Sequence, residues 1–396
     1  MLMRLRKKKK QKSGRFSWIL LAVCVLLLAV QAAGIVDPAE WRVQDARYQK
    51  GGLVSPEILV IGIDEETMME YGSWQNWSRT GTARLLQVLN QNPDTAPAVI
   101  GLDIGFFGES DAKADEELAQ AAALLDNVVA TSYASFGKEV HEGEDGSFST
   151  ENTVLTYEIP YEALRRHIRF GFSNVPVDSD GIVRHSLYRI FRGNGESAYS
   201  FAAEIYQKYT GELPACIQEG EILGYIPFSA RPFEYYGSET AGLSFSKVVS
   251  GEIPAELFAG SIVLVGPYTT GMMDAYYTAV SHDIPMYGVE VHANILQSFL
   301  EDNRKAETGM PTRLFITAVM MGLVILCMGL PKIRYSLLCM VLLLGAYWMA
   351  VGAACERGWI LPLLYPLASA VLVCAACIVL QYAMERKAKK RIEGIF

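Results

Sequence analysis

A chain of 396 residues with a formal net charge of -8 resembles an ordinary acidic globular protein overall, but its charge is divided. Residues 37–311 hold 40 Asp and Glu against 18 Lys and Arg, whereas residues 1–15 hold eight basic residues and no acidic one. The acidic block excludes a nucleic-acid partner, which needs clustered positive charge, and its single cysteine, Cys216, excludes a disulfide within it.

After the basic tail (1–15), residues 16–36 form an apolar run without Asp, Glu, Lys or Arg. Val30, Gln31 and Ala32 resemble a signal-peptide cleavage pattern, but the run exceeds the roughly 7–15 residues of a signal core, so an uncleaved transmembrane anchor is expected. Within 37–311, short apolar runs rich in Val and Ile at 57–64 (EILVIGID), 98–106 (AVIGLDIGF), 127–133 (NVVATSY) and 261–268 (SIVLVGPY) predict strands buried on both faces. Helical periodicity at 80–90, 115–125, 199–209 and 289–300 alternates with them. Such alternation predicts parallel βαβ units. Residues 169–175 and 182–191, joined by ValProValAspSerAspGly, predict a hairpin on one edge, and 92–97 and 138–150 predict polar loops.

Three further uncharged apolar runs, 314–330, 336–354 and 359–380, each approach the ~20 residues a bilayer requires. If all four runs cross, the basic clusters 4–12, Lys332 with Arg334, and 386–391 fall on one side, which makes both termini cytoplasmic and 37–311 extracytoplasmic. The clusters 4–12 and 386–391 also suit anionic membrane lipid. The expected fold is therefore an α/β extracytoplasmic sensor domain with a mostly parallel mixed sheet, plus four transmembrane α-helices, one before it and three after. Residues 381–396 form a basic cytoplasmic stub. Cys374 and Cys377 have CxxC spacing, but within a span they read as packing residues.

Several segments, in order, resemble the type 2 CHASE domain, an extracellular sensory module. They are Asp45-Ala-Arg47, IGIDE (61–65), WQNWSR (74–79), VIGLDIGF (99–106), RFGFSNVPVDSDGIVRH (169–185), and FAGSIVLVGPYTTGMMDAYYT through GVEVHAN (258–294). The resemblance implies a signalling receptor in the plasma membrane, in which a nucleotide cyclase, histidine kinase, diguanylate cyclase or protein kinase follows the last span. Residues 385–396 look like the linker into such an output domain, but none of a cyclase's metal-binding carboxylates follows. The pattern departs from the family at Ala279 and Tyr287, where proline is common.

Asp64 and Asp103 each end a predicted parallel strand, where ligands gather in open α/β sheets. Either carboxylate could instead cap a helix or accept backbone N–H groups. Trp74, Trp77 and Arg79 would form an aromatic and cationic lip over the same crevice, or pack under a loop. Asp274, His282 and His292 offer oxygen and nitrogen donors to a divalent metal, but their spacing fits no zinc pattern. Asp178, Asp180 and Gly181 start like a calcium loop but lack its later ligands, so a turn is expected.

No hydrolase, phosphate-loop or paired nucleophile motif is present, and neither enzymatic activity nor a cofactor is expected. The leading expectation is a multi-pass receptor for an extracellular ligand, with output from a separate cyclase or kinase partner. A truncated or split membrane cyclase is a variant of that reading. The rival is a non-signalling envelope-binding protein for glycan or protein, supported by the aromatic loop at 74–77. Since related outputs act as dimers, a homodimer follows from the resemblance.

Overall fold

The computed structural model describes residues 18–49, 51–74, 77–142, 148–192, 195–236 and 242–393. The basic tail 1–15 and the terminal Ile395 and Phe396 lie outside the described residues. The chain divides into two compact units, Gln49–Arg304 and the flanking segments Met1–Tyr48 with Lys305–Phe396.

The strands of the main sheet are β1 (Ile58–Ile63), β2 (Val99–Leu102), β3 (Val128–Glu142), β4 (Phe148–Glu158), β5 (Arg169–Phe172), β6 (Leu243–Ser244) and β7 (Ile262–Pro267). The longer helices are α1 (Trp18–Ala32), α2 (Asp37–Tyr48), α3 (Glu65–Tyr71), α4 (Arg79–Leu89), α5 (Ala112–Ala122), α6 (Phe201–Thr210), α7 (Phe245–Ser250), α8 (Gly288–Leu300), α9 (Met310–Met328), α10 (Ile333–Glu356) and α11 (Leu364–Glu393). The sheet runs β6-β1-β7-β2-β3-β5, all parallel, with β4 antiparallel to the far half of β3. The mostly parallel α/β prediction is correct, and its physical cause is visible in the alternation of side chains.

Ile58, Val60, Val99, Val129, Ile262 and Leu264 join residues of α6 and α8 on one face. Ile61, Ile63, Ile100, Leu102, Val128, Ala130, Val263 and Val265 join residues of α4, α5 and α7 on the other. Both faces are covered, so the strands read as continuous apolar runs. Side-chain caps from Ser78, Asp111 and Ser200 start α4, α5 and α6.

Two segments differ from expectation. The predicted hairpin at 169–191 does not form, because β5 pairs with β3 in the main sheet and Ile182–Val183 pairs in parallel with Tyr277 and Thr278. Its turn is organised instead by Arg184, only 1 % exposed, whose guanidinium binds Asp178 at 3.0 Å and Asp180 at 2.8 Å. A buried cation needs such partners. These carboxylates are thereby committed to an arginine, and the turn reading of Asp178 and Asp180 agrees with the structure. The predicted loop 138–150 instead carries the ends of β3 and β4, with Lys138 opposite Asn152 and Glu142 opposite Phe148. Its sequence lacks the apolar alternation by which strands are recognised.

In the other unit, α9, α10 and α11 are each long and apolar enough to cross a membrane. The helix α1 qualifies only together with α2, from which it is bent by 76°. Cys374 and Cys377 lie in an apolar cluster with Met320, Met321, Val324 and Val373, as packing residues. The fully buried Glu40 of α2 accepts the backbone N–H groups of Leu363 and, at 2.9 Å, Tyr365. A carboxylate at orphan N–H groups also complements the helix dipole, so Glu40 fastens α2 to the start of α11.

Candidate functional site

Asp64 follows β1 directly and caps α3. Its Oδ1 accepts from the Thr67 amide at 2.9 Å, the Thr67 hydroxyl at 2.7 Å and the Ser244 hydroxyl at 3.0 Å, and its Oδ2 accepts from the Tyr236 hydroxyl. Burial opposes its charge, but the hydrogen bonds from Thr67, Tyr236 and Ser244 prevail and hold the carboxyl below its ordinary pKa. Both oxygens are occupied, so Asp64 acts as a cap.

Trp74 and Trp77 form no open lip. They pack with their ring centroids 5.2 Å apart, and Trp77 lies 5.0 Å from Phe245. Arg79 donates to Asp115 at 2.7 Å and to the Gly108 carbonyl at 2.8 Å, with its guanidinium 4.4 Å from the Tyr161 ring centroid. These three residues hold the loop to the core, which is the packing alternative raised from the sequence.

Asp103 has a different environment. Register explains why: Leu102 pairs with Val265, which pairs with Ile61, so Asp103 lies level with Gly62, whereas Asp64 lies two residues farther along. The Asp103 side chain is 8 % exposed and its Oδ2 has no hydrogen-bond partner. The nearest ring nitrogen, Nε2 of His292, is 4.0 Å from Oδ1, beyond hydrogen-bonding distance. Burial pushes the Asp103 carboxyl up to about 7 and the His292 imidazole down to about 4. The histidine is therefore neutral near pH 7.

A cavity of about 250 Å³ opens beyond the ends of β2 and β5 and beside β3, lined by Asp103, Phe107, Thr131, Tyr133, Ser173, Asn174, Asp274, Tyr276 and His292 among others. Asp274 shares a hydrogen bond with Tyr276, and its carboxyl is pushed up to about 6, first by burial and then by the charge of Asp103. Space for Asp274 exists because residue 288 is glycine: a Cβ there would collide with both carboxylate oxygens. The structure thus joins Asp103 to two of the residues considered for a metal, Asp274 and His292. His282 is exposed on another strand and does not line the cavity. Among the described residues, no group of three or more His, Cys, Asp or Glu could hold a metal ion, so Asp274, His282 and His292 do not form the suggested centre.

Sequence reasoning missed Thr131, Tyr133, Ser173, Asn174 and Tyr276. Thr131 and Tyr133 are two apart on a strand and therefore share a face, a signal that was available in NVVATSY. Asn174 was less legible. Its amide donates to the Ala134 carbonyl and accepts from the Ala134 N–H, both at 2.8 Å, which extends the ladder after β5 has ended.

The helix α8 supports the cavity from below. His292 faces it, while Asn294 Oδ1 accepts the N–H groups of Ser229 and Ala230, each at 2.9 Å, and the Gln297 amide donates to Leu53 at 3.0 Å. The GVEVHAN segment therefore serves both the cavity wall and the clamp on a neighbouring loop.

The family model described as the CHASE2 domain matches residues 19–331, from α1 past the end of α9. No curated protein and no solved structure matches the chain.

Proposed function

The chain belongs to the CHASE2 domain family, and on that premise we propose that it is a multi-pass signalling receptor whose ligand occupies the Asp103 cavity. The observation that carries this reading is a buried carboxylate oxygen with no protein partner, lining a cavity at the carboxyl ends of parallel strands. A buried acceptor left unpaired costs about 1–3 kcal/mol, and a ligand donor that satisfies it recovers that cost.

In this reading α1 is the fourth span, residues 49–304 face outward and both termini are cytoplasmic. Lys332, which precedes α10, and Arg334 in its first turn, with the basic residues from 386 onward, support that orientation. The chain enters the sensor unit at Gln49 and leaves it after Arg304. The helix that carries His292 ends at Leu300, close in sequence to that exit, and α2 immediately precedes the entry. A ligand with differential affinity for two states of the sensor would shift α2, and Glu40 would pass the shift to α11. The output is a cyclase- or kinase-type partner acting on α11. The envelope-binding alternative loses its one support, because Trp74 and Trp77 are occupied in packing.

The test is thermal unfolding of the full chain in phospholipid nanodiscs against a chemically mixed set of small molecules, compared with Asp103→Asn. At least one compound is expected to raise the melting temperature of the wild type and not of the variant. If every stabilising compound acts equally on both proteins, the cavity is not the sensory site.

A further inference from the structure

We propose that the Asp103 cavity selects a small organic cation with N–H donors, a protonated alkylamine, in preference to anions, neutral polar molecules and metal ions. This deepens the receptor reading above and rests on it.

Two carboxylates, Asp103 and Asp274, lie on the cavity wall, and no Lys or Arg is among its lining residues. The Asp103 side chain is more than nine-tenths buried, and once it is ionised its free Oδ2 requires a donor from outside the protein. An anionic ligand would add a third acceptor to a site that already has two. Asn174 offsets this little, because its amide oxygen and one of its two amide N–H groups are engaged by Ala134.

The other walls point the same way. Phe107, Tyr133 and Tyr276 bring three aromatic rings to the cavity, and the negative faces of such rings attract cations. A metal ion is disfavoured by the cavity's size and by the lack of a three-ligand cluster among the described residues. At about 250 Å³ the space holds roughly eight water-sized groups, which suits an amine of four to seven non-hydrogen atoms. Tyr133, 45 % exposed, stands at the rim and leaves a way in.

Binding is linked to protons. The titratable groups facing the cavity are Asp103 at the end of β2, Tyr133 on β3, Asp274 and Tyr276 around residue 275, and His292 on α8. Across pH 5 to 8 Tyr276 remains protonated and His292 remains neutral, while the carboxyls of Asp274 and Asp103 change charge, near 6 and 7. An ammonium that enters while a carboxyl is protonated releases that proton to solvent, and affinity rises with pH through this range.

The experiment is titration calorimetry on the full chain in phosphatidylcholine nanodiscs, with butylammonium and propylammonium set against 1-butanol, butyrate, and Mg²⁺, Ca²⁺ or Zn²⁺. The ammonium probes are expected to bind at about pH 8, at least about tenfold more weakly at about pH 5, and about thirtyfold or more weakly in Asp103→Asn and Asp274→Asn. Should Asp103→Asn fail to fold, Asp274→Asn and the wild-type contrast between butylammonium and butanol still decide. Asp103-dependent binding of butyrate, butanol or a metal ion, with none of ammonium, overturns the cation and leaves the cavity reading intact. If no ammonium probe binds and no compound of the mixed set depends on Asp103, both readings fall.

Discussion

Residues 60–64 and 99–103 read VIGID and VIGLD, nearly the same five residues at the ends of two parallel strands of one sheet, yet their carboxylates have opposite fates. Asp64 stands clear of the strand ends and is followed at once by a helix, so its oxygens are taken by Thr67, Ser244 and Tyr236. Asp103 lies two residues deeper and is followed by a loop, and the next helix is capped by Asp111 instead. Nearly identical local chemistry thus gives a structural cap in one place and an unpaired acid in the other. Register and the following segment decide which.

The largest expected effect is on the cap. Asp64→Ala removes the acceptor for two hydroxyls, an amide and the Tyr236 phenol, and should destabilise the protein by roughly 2–4 kcal/mol in denaturant unfolding followed by tryptophan fluorescence. A loss no larger than that of a surface substitution would erase the contrast between the two carboxylates.

Asp103→Asn should act with the opposite sign. The native carboxyl titrates near 7 against an ordinary value of 3.8, so between these values the folded state holds a proton that the unfolded state has released. Stability is therefore greatest below the unfolded value and falls as pH rises through about 7. At about pH 8 the asparagine variant should be more stable than the wild type by roughly 1–3 kcal/mol, allowing for the cost of its own unpaired amide, and the advantage should vanish near pH 4. For Asp64, whose carboxyl is held below its ordinary 3.8, stability is present above that value and lost as pH falls through the native one. Unfolding curves of the two variants across pH should separate these slopes, and parallel slopes would break the comparison.

The smallest stability effect is expected for Gly288→Ala. The atoms nearest the added methyl are all in the carboxylate of Asp274, the end of a flexible side chain that moves away, so stability should change by less than about 1 kcal/mol while ligand response falls about tenfold. Equal losses in stability and response would mean that Asp274 is structural.

Much of the unit Gln49–Arg304 was legible in the sequence because its signals are local. The four apolar runs became β1, β2, β3 and β7, and four periodic segments became α4, α5, α6 and α8 within a few residues. The family was legible from motifs spread along the chain. The fates of Asp64 and Asp103 were only partly so. Helix-forming GluGluThr after Asp64 announces a cap, whereas IleGlyPhePheGly after Asp103 announces none. The remaining wall of the cavity was not legible, because Tyr133, Asn174 and Asp274 come together only through strand order and register. The predicted hairpin failed for a related reason: AspSerAspGly is good turn chemistry, but its carboxylates bind the buried Arg184, and the strands on either side pair elsewhere.

The central claim is that Asp103 is a buried acid left unpaired by the protein for a ligand to satisfy. Infrared difference spectroscopy of the full chain in nanodiscs, wild type minus Asp103→Asn, tests it most directly. The account predicts a protonated-carboxyl band that disappears as pH is raised through about 7 and is lost at lower pH when an ammonium ligand binds. A carboxyl already ionised at about pH 5, with or without ligand, would contradict it.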